Sequence, residues 1–174
     1  RAIIVSMGTG TALVSVNGQK CVHLGGSGVG GGSLLGLCDQ MISVRSVEHI
    51  ISMAEQGDLR NVDLTIGDIT EGNLSGMGSE ITASNFGKLS DVASSADLAL
   101  GVANLVFQTI GMFAVFAGKA EKVHDVVLTG KLSTIGLAHA IYRQLETMHG
   151  VHFIIPDKSD YATAIGAALS AQKQ

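Results

Sequence analysis

Three groups of residues in this chain have types and spacings that could do chemistry. Gly8, Thr9, Gly10 and Thr11 follow an apolar run directly. A tight glycine turn there gathers backbone N–H groups and two hydroxyls at one point, which suits a phosphate oxygen. A plain hairpin turn is the alternative, although hairpins favour Asn-Gly or Asp-Gly over alternating Gly and Thr. The second group runs from Gly25 to Ser33 and holds six glycines in the eight positions 25–32. Without side chains a ligand can approach the main chain closely, and the N-terminus of a following helix favours anions. The third is Leu128, Thr129, Gly130 and Lys131, where a strand turns into a helix. It could set backbone and Lys131 against an adenosine or a phosphate, or be an ordinary loop with a solvated lysine.

Other chemistries find little support. Gly26, Gly28 and Gly31 formally match GxGxxG, yet they follow a third antiparallel-type strand and no strand with a terminal acid comes about 20 residues later. The six histidines lack metal spacing, and neither a Walker A motif nor a G-x-S-x-G elbow is present. Glu48, Glu55 and Asp58 read as solvated charges at helix ends.

The elements that must position these groups follow from pattern. Strands are expected at 2–7, 11–16 and 20–24, with Asn17-Gly18 closing the hairpin between the last two. Helices are expected at 33–41 and at 46–56, the latter capped by Ser46 and stopped by Gly57. A short helix falls within 61–69 and a Gly/Ser-rich loop over 71–78. A long helix spans about 89–118. Then come strand 125–129, helix 133–149, strand 152–155 and helix 161–171. The order βββαβαβα describes an α/β fold with a mixed five-stranded sheet and helices on both faces, in a single lobe covering residues 1–174. Residues 98–118 contain no charge, enough for a membrane span, but Asn104, Gln108 and Thr109 near the middle favour a buried or partner-covered helix.

Composition bounds the rest. Hydrophobic residues make up 46% of the 174 and charged ones 15%, which excludes disorder. A net charge of −4 argues against a general nucleic-acid binder, and no membrane partner is expected. Cys21 and Cys38 read as reduced small hydrophobes in a cytoplasmic protein. The chain opens at Arg1 directly into a strand, as a fragment or the second part of a longer polypeptide would.

The ordered set SMGTGTALVSVNG, VHLGGSGVGGGSLLGL, MAEQGDLRNVDL, ITASNFG and VVLTGKL resembles the type II pantothenate kinases over nearly the whole chain. The resemblance implies the ribonuclease H-like fold of the actin and sugar-kinase superfamily, in which each of two lobes follows the βββαβαβα plan. It implies ATP with Mg²⁺, pantothenate as substrate and 4'-phosphopantothenate as product, at the first step of coenzyme A biosynthesis. Gly8, Thr9, Gly10 and Thr11 would wrap the β- and γ-phosphates. Gly30, Gly31, Gly32, Ser33, Leu34 and Leu35 would hold ribose and adenine, with Gly130 and Lys131 at the adenosine; Lys131 departs from the family's usual Ser. The long helix would help build a homodimer. The family's first phosphate loop and glutamate base lie in an N-terminal lobe, so no catalytic residue is assigned to this chain and the isolated lobe is not expected to be active. His23 stands where the family has an Arg for the pantothenate carboxylate, and a neutral imidazole lacks that charged fork. Two other readings follow: a sister kinase acting on another small hydroxyl substrate, or a non-catalytic nucleotide-binding or dimerisation module.

Overall fold

The computed structural model describes residues 1–70 and 78–172. The loop expected at 71–78 therefore lies, but for Gly78, outside the described residues. The chain divides into two compact units, Arg1–Leu34 with Val106–Gln174, and Leu35–Leu105.

The first unit is built on a five-stranded sheet. Strands β1 (Ala2–Met7), β2 (Thr11–Asn17) and β3 (Lys20–Ser27) form an antiparallel meander, while β6 (Asp125–Thr129) and β7 (His152–Ile154) add in parallel beyond β1, giving the order β3-β2-β1-β6-β7. Asn17-Gly18 does close the hairpin, with Gly18 at φ +61°. Register puts Val5 opposite Leu13 and beside Leu128, so Ile3, Val5, Met7, Leu13, Val126 and Leu128 share one buried face. Helix α5 (Gly136–His149) meets that face at Met7, its Tyr142 buried with the hydroxyl 3.6 Å from Met7 Sδ and the ring stacked on Phe153 at 4.8 Å. Burial pushes the Tyr142 phenol up. At the C-terminus of α5, burial and then the nearby Lys119 charge pull the His149 imidazole below its ordinary value. The opposite face, with Ile4, Val14 and Val127, is half-buried, and α6 (Ala162–Ala171) is exposed through nearly its whole length. Edge strand β7 turns the Phe153 N–H outward, where Glu146 Oε1 accepts it at 2.6 Å.

The second unit holds the rest of α1 (Gly31–Ile42), α2 (Val47–Ala54), a two-stranded ribbon of β4 (Leu64–Thr65) and β5 (Thr82–Ser84), a single turn α3 (Ile66–Ile69), and the first part of α4 (Ser95–Glu121). Ser46 caps α2 as expected, accepting from the His49 N–H. The helix expected within 61–69 shrinks to α3 because Thr65 and Asp68 form a capping box that starts it late. Asp58 is not merely a solvated charge: it binds Arg60, which holds its carboxyl down at about 2.

Helix α4 begins later than position 89 and runs past 118. Ser94 and Asp97 make a reciprocal cap, the Ser94 hydroxyl accepting the Asp97 N–H and the Asp97 carboxylate accepting the Ser94 N–H at 2.8 Å. Helix α4 is long and apolar enough to cross a membrane, and 61% of its most apolar window is buried inside the chain. Asn104 has a specific partner: its side-chain N–H donates to the fully buried Asp63 at 2.7 Å. The same carboxylate accepts from Thr82, Asn85 and the Phe86 N–H, so one anion ties β5 and the following turn to α4.

Candidate nucleotide-binding site

Strands β1 and β6 run parallel with Ser6 beside Thr129, so both end at the same edge of the sheet. Ligands of open α/β sheets bind outside such carboxyl ends, where neighbouring strands diverge. The three candidate groups meet there.

The turn of Gly8, Thr9 and Gly10 is locked to the start of α1 main chain to main chain. The Gly31 N–H donates to the Gly8 carbonyl and the Gly32 N–H to the Thr9 carbonyl, both at 2.8 Å. A Cβ on Gly30 would lie 2.6 Å from the Thr9 carbonyl oxygen and 2.8 Å from Gly10 Cα, so only glycine permits the approach. The first two amides of α1, those of Gly31 and Gly32, are thus used by the turn.

The two threonines separate. Thr11 is buried and donates its hydroxyl to the Val29 carbonyl at 2.8 Å, which fastens the second glycine segment to β2. Thr9 is exposed, and neither its hydroxyl nor the amides of Thr9 and Gly10 have a hydrogen-bond partner among the described residues. The free donors thus sit at the tip of the turn.

Gly130 adopts φ +89°, and a Cβ there would meet the Met7 carbonyl oxygen at 2.6 Å. The third group is thereby pinned to the root of the first. Leu132 reaches toward Gly31, whose would-be Cβ lies 3.8 Å from its methyl group, which brings in the second. Lys131 is exposed with no ion-pair partner among the described residues. Ser33 donates to the Gly28 carbonyl at 3.0 Å. Leu34 is fully buried, so its side chain belongs to packing, and Leu35 is half-buried. His23 stays apart from this cluster, exposed on β3 opposite Val14. Among the described residues no group of three or more His, Cys, Asp or Glu could hold a metal ion.

Sequence reasoning missed Ser133 and Ser159. Both are buried, 2.7 Å apart, and the Gly130 N–H donates to the Ser159 carbonyl at 2.9 Å. Their 26-residue separation gives no local signal.

Among solved structures, the fold is similar to a xylulose kinase from Lactobacillus acidophilus with a TM-score of 0.58 at 13% identity, covering 99% of this chain and 39% of that one. A gluconate kinase from the same organism gives 0.57 at 12%, covering 88% and 35%. The chain is also 30% identical over 176 residues to a type II pantothenate kinase from Bacillus cereus, covering 98% of this chain and 64% of the relative. It is 28% identical over 172 residues to one from Oceanobacillus iheyensis, covering 97% and 64%. The chain thus spans less than two thirds of the length of these relatives. The model of the Fumble family matches residues 2–168, and the chain belongs to that family.

Proposed function

We propose that this chain is the ATP-binding lobe of a pantothenate kinase. The observation that carries the reading is the convergence of three glycine turns at the ends of β1 and β6, with the Thr9 hydroxyl and the Thr9 and Gly10 amides left without partners. Backbone donors without side chains suit the oxygens of a polyphosphate. The similarity to pantothenate kinases supports the substrate.

In the proposed reaction the hydroxyl oxygen of pantothenate attacks the γ-phosphorus of ATP. The bond from phosphorus to the β–γ bridging oxygen breaks, ADP leaves, and the hydroxyl proton passes to a base. That base and the other phosphate loop belong to an N-terminal lobe of the longer protein. Thr9 and Gly10 hold the β- and γ-phosphates in line, which is most of what a protein contributes to phosphoryl transfer. Gly30, Gly31, Gly32 and Ser33 face the ribose, with Gly130 and Lys131 at the adenosine. When bound with ATP, Mg²⁺ would neutralise charge on the phosphates that the Thr9–Gly10 turn holds. We place the enzyme in the cytoplasm as a homodimer. A cleft of about 440 Å³ lined by Leu13, Leu24, Phe113 and Phe116 leaves apolar surface on α4 that supports a partner there.

His23 favours a second reading. An exposed imidazole does not reproduce the charged fork of Arg, which leaves room for a sister kinase acting on another small hydroxyl compound. ADP release from ATP and Mg²⁺ by the intact protein, with and without pantothenate, tests both. Pantothenate-dependent release is expected. Nucleotide binding with no such release would move the reaction to another substrate or leave a non-catalytic module. Thr9→Ala should raise the KM for ATP about tenfold with unchanged stability, whereas Thr11→Ala should cost about 1 kcal/mol of stability. Equal nucleotide affinity in Thr9→Ala and wild type would remove the phosphate assignment.

A further inference from the structure

The turn that carries Gly130 and Lys131 is tied to a segment that no motif marks. Ser159 opens the short helical turn before α6, and both its carbonyl and its hydroxyl point back to this turn. The carbonyl accepts the Gly130 N–H at 2.9 Å, and the hydroxyl lies 2.7 Å from Ser133 Oγ. Ser133 Oγ is also 2.7 Å from the Gly130 carbonyl. That carbonyl can only accept, so the Ser133 proton goes to it and the Ser159 hydroxyl supplies the proton shared between the serines. Ser133 is 0% exposed and Ser159 3%, so no water competes for these bonds. On its other side Gly130 abuts Met7, the residue that leads into the turn of Gly8, Thr9 and Gly10.

We infer that Ser159, acting through Ser133, is a positioning residue for the nucleotide. The pair fixes the height of the 130–131 turn above β1, and with it the distance between the phosphate-holding turn and the nucleoside-holding turn. Neither serine touches the nucleotide. The inference rests on the nucleotide reading above and adds residues that reading does not contain.

Calorimetric titration of the intact protein with ATP, joined to steady-state kinetics, tests it. Ser159→Ala and Ser133→Ala should each raise the Kd and KM for ATP by about two- to tenfold, the range expected for one buried hydrogen bond. The KM for the phosphate acceptor should stay unchanged. The double variant should be no worse than Ser133→Ala, because both substitutions remove one shared bond. Ser159→Thr, which keeps the hydroxyl, should recover part of the affinity. Folded single variants with wild-type Kd for ATP would overturn the inference while leaving the nucleotide reading in place. An equal loss for both substrates would overturn it too, since that marks general loosening. A wild-type protein that binds no ATP would remove both.

Discussion

Both units set main chain against main chain, as Gly57 against the Ala96 carbonyl shows in the second, but among the described residues only the second adds buried carboxylates that gather its loops. In the first, main chain presses on main chain: Gly30 lies against Thr9 and Gly10, and Gly130 against Met7, with amide-to-carbonyl bonds between the segments. In the second, two buried carboxylates gather the loops. Asp63 collects Thr82, Asn85, Phe86 and Asn104, and Asp97 collects Asp58, Asn61 and Ser94. A glycine joint has no titrating group and leaves neighbouring amides facing outward for a ligand. A carboxylate joint spends its donors internally and depends on the charge of one side chain. The first construction suits a binding site; the second suits a scaffold.

The contrast can be broken most forcefully at Asp63. Asp63→Ala would leave the donors of Asn104, Thr82 and Asn85 without their buried acceptor and should destabilise by about 3–4 kcal/mol in urea unfolding. A loss below 1 kcal/mol would mean that water or a neighbour replaces the anion. Gly30→Ala forces a Cβ into the Thr9 carbonyl and should cost about 3 kcal/mol, with nucleotide affinity falling alongside. A stable Gly30→Ala variant with normal affinity would show that the close approach is dispensable.

Acid sharpens the comparison with a smaller effect. Hydrogen bonds from the backbone of Ser94 and then Asp58 hold the Asp97 carboxyl below the usual range. Lys88 holds Asp68 at about 2, as Arg60 does Asp58. Folded values lie below the unfolded value of about 3.9, so their stabilisation is complete above that value and disappears as pH falls through the folded one. Melting temperature should therefore drop between about pH 5 and pH 2. Amide exchange followed by mass spectrometry should show residues 58–63 and 82–88 opening before the glycine turns of the first unit. Simultaneous opening would remove the distinction. Thiol labelling should disturb least: burial pushes Cys38 up to about 11, so a disulfide reagent should label exposed Cys21 alone until the protein unfolds.

Legibility in the sequence divides along the same line. The strands at 2–7, 11–16 and 125–129, the Asn17-Gly18 hairpin and the Ser46 cap were all readable, because each depends on period or on one local turn. The three glycine turns were readable as unusual composition, and the family resemblance assigned them roles. Which amides are free was not readable. That follows from the pairing of Gly31 and Gly32 with a turn more than twenty residues earlier. The Asp63 joint escaped for the same reason, since Asn104 stands 41 residues from its acceptor. The β4–β5 ribbon escaped because strands of two and three residues carry no period. Helix α4 was readable as apolar but misplaced at its start, where the Ser94–Asp97 cap outweighs the apolar pattern preceding it.

Glu146 holds the outward N–H of Phe153 on strand β7, one of the two margins of the sheet. An open margin of this kind is a template on which a strand from another molecule can add, and repeated addition builds fibrils. The carboxylate occupies the donor that such a strand would need first. Glu146→Ala should therefore leave the fold nearly as stable and shorten the lag before the protein aggregates on gentle heating, a hazard set by colloidal behaviour and not by the binding site.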